Sequence, residues 1–192
     1  MRSFSNKKFA ENLKDHDKIV DCEFIDCIFE KCKFTDCTFI NCTFSECSFI
    51  GCGITNLQSK ETSMILSTFI NCNIVGVSWA NFQSCSFSSP IDKFDKCYLK
   101  YNNFDKMSFK KFDFLQSSLI NCFFINCNLS ESNFKNCDLH NTEFSDCDLR
   151  KCDFRKASGY NINLLSNRIK GAKFSYPDVI NLLETFDIKI EK

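Results

Sequence analysis

The sequence predicts an all-β solenoid, a coil with flat sides in which each side is one five-residue unit. Three observations predict it. From Asp138 to Phe154 the apolar residues Leu139, Phe144, Leu149 and Phe154 recur every fifth position. A small residue stands two places before each of the last three, at Thr142, Cys147 and Cys152. Counting by fives carries that pair, a small partner and a large centre, over most of the chain. Every centre from Phe94 to Phe174 is Phe, Leu or Ile except Gly159, and Cys22 to Cys52 are the partners of the centres Phe24 to Ile54. Period five fits neither a helix at 3.6 residues per turn nor a plain alternating strand. Partner and centre, two apart on an extended backbone, point the same way, inward. The other three residues lie outside or turn the corner.

The composition agrees. Of the 23 Phe, 18 sit on centre positions, so the aromatic load is core. Lys plus Arg equals Asp plus Glu at 24 each, which excludes a global basic footprint for nucleic acid. No apolar run approaches the ~18 residues of a membrane helix, and the charged start has no signal-peptide core. A cytoplasmic protein with no membrane contact and no direct nucleic-acid partner is expected.

The 15 cysteines all occupy partner positions, with no C-x-x-C pair and only His16 and His140 to join them. That spacing argues for buried, packed thiols rather than a metal or a disulfide framework. No cofactor, metal or catalytic residue is expected, because no nucleophile–base pair or phosphate loop is present.

Taken in order, residues 1–18 read as an irregular start, either imperfect first repeats or a lid over the first coil's backbone edge: Phe4 and Phe9 keep the register and Lys14 breaks it. Ile19 to Ile54 gives two locally acidic coils, with Asp21, Glu23, Asp26, Glu30, Asp36 and Glu46 against only Lys31 and Lys33. The polar stretch 55–63 (Thr55, Asn56, Leu57, Gln58, Ser59, Lys60, Glu61, Thr62, Ser63) is a poor repeat and predicts a projecting contact loop. Ala80/Phe82 and Cys85/Phe87 run two residues out of phase. Ser88, Ser89, Pro90, Ile91 and Asp92 restore the register by Phe94, so a second loop is expected over 88–93. From Phe114 to Phe154 the centres alternate Phe and Leu, placing each type on two opposite sides. Outside, Lys111, Glu131 and Lys151 predict a ladder of alternating charge, and Asp138, Glu143, Asp146 and Asp148 a local acidic stripe. Residues 175–192 change character. Ser175, Pro177 and Asp178 start a short helix. Val179, Leu182, Leu183 and Phe186 form its apolar stripe, expected to seal the last coil and build a homodimer interface. Asp187 to Ile190 alternates like a strand.

The tandem pattern over roughly 19–174 resembles the pentapeptide-repeat proteins. That resemblance implies a right-handed quadrilateral β-helix over 1–174, four repeats per coil, with a short C-terminal capping helix. The segment from Ile169 to Ile190 and the interruptions at 55–63 and 88–93 resemble the Qnr-type and microcin-immunity-type members. From those members comes the expectation of an end-to-end dimer that mimics duplex DNA and binds a type II topoisomerase, DNA gyrase or topoisomerase IV. The alternative is a scaffold that binds another protein.

Overall fold

A computed structural model describes residues 1–10, 16–82, 89–114, 116–186 and 188. The chain forms a four-sided parallel β-solenoid. Successive centres fall on sides one to four, so that Phe24, Phe29, Phe34 and Phe39 open one coil and Phe44 returns to the first side. Residues 20 apart are therefore vertical neighbours, as in the pairs Phe24 and Phe44 or Leu99 and Leu119.

Two features of the five-residue unit make this shape. The residue two places after each centre adopts a left-handed backbone, with φ of 54° at Asp21, 51° at Asn41 and 54° at Asp146. That conformation turns the corner, and Asn and Asp tolerate it best. Each corner N–H still pays into the ladder, as where Asp21 donates to Ile40 at 3.0 Å and Asn121 to His140 at 2.9 Å. The second feature is the partner's polar atom. Thr142 Oγ1 donates to the Leu119 carbonyl at 2.8 Å and accepts from the Cys122 N–H at 3.1 Å. Cys127 Sγ donates to the Phe104 carbonyl at 3.1 Å and Cys152 Sγ to that of Leu129 at 2.9 Å. The partner position thus takes a small residue with one hydrogen-bonding atom, because it joins two coils inside an apolar core.

Between those atoms the core is filled. Phe114, Phe134 and Phe154 stack on side two at 4.6 and 5.0 Å, and Phe124 and Phe144 on side four at 5.1 Å. Leu119 and Leu139 occupy side three, Leu129 and Leu149 side one, all fully buried, so the alternation places Phe and Leu on opposite sides as expected. Rows on adjoining sides meet edge to face, as at Phe134 and Phe144 (5.7 Å, 87°).

The structure decides one sequence reading and corrects another. The start of the chain is a first set of repeats rather than a lid: Arg2–Ser5 pairs with Cys22–Ile25, and Lys8–Phe9 with Ile28–Glu30. Phe4 and Phe9 are true first centres, stacked on Phe24 and Phe29. The expected loop at 55–63 does not project. Gly53–Thr55, Gln58–Lys60 and Ser63–Ile65 are strands paired with their neighbours 20 residues earlier. Leu57 is buried as a partner, and Ser59 stands opposite Phe39 as a centre. Backbone pairing carried the register across an unsuitable centre, because the corners at Asn56 and Glu61 keep their left-handed turns.

A real interruption follows. Phe69 pairs with Phe94 and Ile74 with Leu99, 25 residues on, so one coil carries five extra residues. Trp79–Asn81 is a 3-10 turn, and Trp79, Phe82 and Ile91 are buried at that level. The Trp79 indole donates to Asn102 Oδ1 at 3.1 Å, and Asn102 Nδ2 donates to the Ile74 and Lys100 carbonyls. Strand Ile91–Asp95 includes part of the second expected loop; Ser67 pairs with Ile91 but Thr68 with Lys93, which bulges Asp92 outward. Cys85, Phe87 and Ser88 lie outside the described residues.

The last coils tighten instead. Phe144 pairs with Ile162, only 18 residues on, and Asp148 with Arg168 restores the register. Gly159 has φ +70°, and a Cβ there would lie 2.8 Å from the His140 Cα. Tyr160 is buried in place of the missing centre, its ring 6.0 Å from Phe154 and 5.7 Å from Phe174. The end is closed by a 3-10 helix, Asp178–Phe186, after a cis Tyr176–Pro177 bond.

Candidate protein-binding surface

Because the partners and centres pack the interior, what this chain offers to another molecule is its outside. The 14 described cysteines are buried. Burial pushes the thiols of Cys47, Cys137 and Cys152 up to about 12, far from the thiolate that metal binding or nucleophilic attack requires. Among the described residues no group of three or more His, Cys, Asp or Glu could hold a metal ion. No helix is long and apolar enough to cross a membrane. His140 pairs with Asp138 on the surface, and both side chains stand open to solvent.

The expected acidic stripe is dispersed. Asp138, Glu143, Asp146 and Asp148 are five or fewer residues apart in one coil, so the coil carries them around sides three, four and one. A stripe along the rod needs spacing of 20. Two of the four are also neutralised locally. Arg150 holds Asp148 with two bonds, at 2.8 and 2.6 Å, and pulls its carboxyl below the usual range; Arg168 adds to that. Asp138 has His140. Glu143 and Asp146 remain exposed, on different sides.

Side one carries what the stripe does not. On its first three regular coils and their corners stand Asp21, Glu23, Asp26, Glu46 and Glu61. Four of the five are exposed, and none has an ion-pair partner among the described residues. The Asp21 carboxylate accepts from Asn41 Nδ2 at 2.6 Å, and its carbonyl from the Arg2 N–H at 2.7 Å. Beyond the 25-residue coil the sign reverses on the same side. Lys110, Lys111, Arg150, Lys151, Arg168 and Lys170 are exposed there. A groove of about 450 Å³ runs among Lys110, Glu131, Arg150, Lys151 and Lys170. The predicted ladder of Lys111, Glu131 and Lys151 is in vertical register, since Lys111 N–H donates to the Ser130 carbonyl and Glu131 N–H to that of Arg150. No ion pair forms along it among the described residues, so the lysines keep free ammonium groups.

The cap divides the predicted apolar stripe. At three residues per turn, Val179 and Leu182 fall on one side and Leu183 and Phe186 on another. Leu182 is 6% exposed and Val179 packs on the core, so both seal the last coil and are not available to a second chain. Leu183 (37%) and Phe186 (48%) stay partly exposed, with Tyr176 and Ile188 beside them in character. Asp187, Lys189 and Ile190, expected as a strand, lie outside the described residues except for Ile188.

Sequence reasoning noticed the acidic N-terminal coils but not that their carboxylates gather on one side. The signal that would have found side one is the 20-residue sum of charge, read separately for each side.

The profile described as Pentapeptide repeats matches residues 20–56 and 117–155, in 8 copies. No curated protein matches the chain. Among solved structures, a trypsin-treated variant of QnrB1, a plasmid-mediated fluoroquinolone resistance protein, is 20% identical over 99% of this chain and 98% of its own, with a TM-score of 0.39. HetL from the cyanobacterium Nostoc, a pentapeptide repeat protein involved in heterocyst differentiation regulation, is 13% identical over 89% of this chain and 82% of its own, with a TM-score of 0.50. A pentapeptide repeat protein of the Arabidopsis thaliana thylakoid lumen is 28% identical over 39% of this chain and 52% of its own, with a TM-score of 0.37. At such identities the likeness to HetL speaks for the fold alone.

Proposed function

The chain belongs to the pentapeptide-repeat family, and from that premise we propose a non-catalytic binding protein whose acidic side one engages a type II topoisomerase, DNA gyrase or topoisomerase IV. The observation that carries this reading is the set of unpaired carboxylates Asp21, Glu23, Asp26, Glu46 and Glu61 on one side of a rigid rod. Coils rise by about 4.8 Å, so these groups recur along the axis at a spacing a phosphate-binding surface can meet. Such a surface, basic and built to hold a duplex, is what a topoisomerase presents to DNA. The contact lies on the N-terminal coils rather than at Asp138–Asp148, and deleting residues 55–63 would remove a paired strand rather than a loop.

In a supercoiling assay with gyrase from the same organism, excess protein should change the rate, or change cleavage in the presence of a fluoroquinolone. The triple variant Asp26→Lys, Glu46→Lys, Glu61→Lys should lose that effect while keeping its circular dichroism. Neither activity responding, with no complex at low salt, overturns the topoisomerase reading.

A second reading has its own observation. Side one turns basic beyond the 25-residue coil, which suits a partner with both signs of charge better than a bare phosphate-binding saddle. A scaffold for another protein is then the function, and capture of a partner that is not a topoisomerase, lost in the same triple variant, would establish it.

A further inference from the structure

The net charge of zero hides a face that is acidic over one half and basic over the other. We propose that side one is a self-complementary surface that pairs two copies of this chain laterally and antiparallel, the acidic half of each on the basic half of the other.

The occupant follows from the layout. The coils centred on Phe24, Phe44 and Met64 carry the acids, and those centred on Phe109, Leu129, Leu149 and Ile169 carry the cations. The 25-residue coil lies between them. Residues 83–88, within that coil, contain no charged side chain. A two-fold axis across the middle of the face therefore sets acids against cations twice, as an isologous contact requires. A parallel pair would set like charges together, which the same arrangement disfavours. The ladder keeps both halves on one side. Arg2–Ser5, Cys22–Ile25, Thr43–Ser45 and Ser63–Ile65 form one sheet, Leu66 and Ser67 donate to Ser89 and Pro90, and Ser89 and Ile91 line a groove with Ser108 and Lys110. The groups are ready to pair. Among the described residues neither the acids nor Lys110, Lys111, Lys151 and Lys170 form an ion pair, although Arg2 stands on the acidic half beside Asp21 and Glu131 lines the basic groove. Glu131 and the corner residue Asp146 are the carboxylates that interrupt the basic half, and Asp148 is already held by Arg150.

This pairing uses the carboxylates assigned above to the topoisomerase but does not rest on that assignment, since it is measured with no enzyme present. If both hold, self-pairing and enzyme binding exclude each other.

The experiment is sedimentation equilibrium on the full chain. The wild type should be dimeric at low ionic strength and weaken by about tenfold or more when the Debye length falls from roughly 10 Å to 3 Å. An acidified variant, Lys110→Glu with Lys151→Glu and Lys170→Glu, should be monomeric. So should a basified variant, Asp26→Lys with Glu46→Lys and Glu61→Lys. Lys31 and Lys96 already occupy the left-handed corner conformation, so the second set is compatible with the fold. An equimolar mixture of the two variants should form a one-to-one complex, which misfolding could not produce. Wild type that stays monomeric at low salt, or variants that fail to combine, overturn the proposal. So does a dimer that ignores salt and both variants but is lost in Phe186→Asp, because that places the contact at the cap.

Discussion

Two coils depart from the 20-residue rule, and they do so in opposite ways. The coil between Phe69 and Phe94 is five residues too long, and the one between Phe144 and Ile162 two too short. The long coil keeps its inward row. Trp79 stands at the regular centre, stacked parallel to Phe104, and Phe82 and Ile91 are both buried at that level. The short coil cannot shed anything outward. It loses a centre at Gly159, brings backbone against His140, and refills the space from a neighbouring position with Tyr160. Insertion costs this fold a local turn, whereas deletion costs it a core position. The solenoid should therefore tolerate growth on its surface far better than contraction.

That contrast can be sharpened from the regular coils outward. The largest loss is expected where the stack is unbroken. Phe134 is fully buried between Phe114 and Phe154, so Phe134→Ala should cost about 3–5 kcal/mol in urea denaturation. An unchanged midpoint would contradict the stacked core.

In the short coil, Gly159→Ala adds a left-handed strain to a contact with backbone at 2.8 Å, and about 2–4 kcal/mol of destabilisation is expected. The double variant with His140→Ala should recover only part of it, because the His140 Cα remains. Full recovery would show that the side chain alone set the constraint.

In the long coil, Trp79→Phe keeps most of the packing but leaves Asn102 Oδ1 without its donor. About 1–3 kcal/mol should be lost. Asn102→Ala would test the converse, leaving the Ile74 carbonyl without the bond it accepts from Asn102 Nδ2.

The thiols should report the same contrast kinetically. With burial holding Cys47, Cys137 and Cys152 at about 12, their alkylation in the native protein should be far slower than that of an exposed thiol, should keep rising through pH 10 with no plateau near 9, and should speed up with denaturant. Fast labelling of those three without denaturant would show that the coils open there.

The smallest effect concerns Asp148 and Asp153, each held below the usual carboxylate range by an arginine two residues on. Their folded values lie below their unfolded ones, so the contribution to stability is present above about pH 4 and lost as pH falls through the folded values. Between pH 5 and 8 the denaturation midpoint should not follow these two groups. Replacing Asp153 by Asn should flatten the acid limb by lowering the neutral midpoint slightly while leaving the acid end in place.

Legibility followed the range of the signal. The partner and centre at Thr142/Phe144 or Cys152/Phe154 lie two residues apart, and their inward direction needs nothing but an extended backbone. The core, the alternation of Phe and Leu rows and the packed cysteines were therefore readable. At Gln58–Lys60 the local signal misled, because a polar stretch with Ser59 as centre looks like a loop. Pairing with Thr38–Ile40 overrode that preference. Leu182 was misassigned for a different reason: helical spacing was taken at 3.6 residues per turn, and the tighter winding turned that side chain inward.

The five-residue period alone determined which side chains point inward, which residues turn corners and why small hydrogen-bonding residues precede large apolar ones. Those are consequences of chain geometry within one unit. Only the tertiary structure decided which residues stand above one another, because vertical neighbours depend on the count of residues around a whole coil. The coil of 25 shifts every later register, and the step of 18 at Phe144 shifts it locally until Asp148 pairs with Arg168. The charge columns on side one are a property of that count. Asp26, Glu46, Lys111 and Lys151 lie far apart along the chain, and they share a corner because the coils between them close where they do.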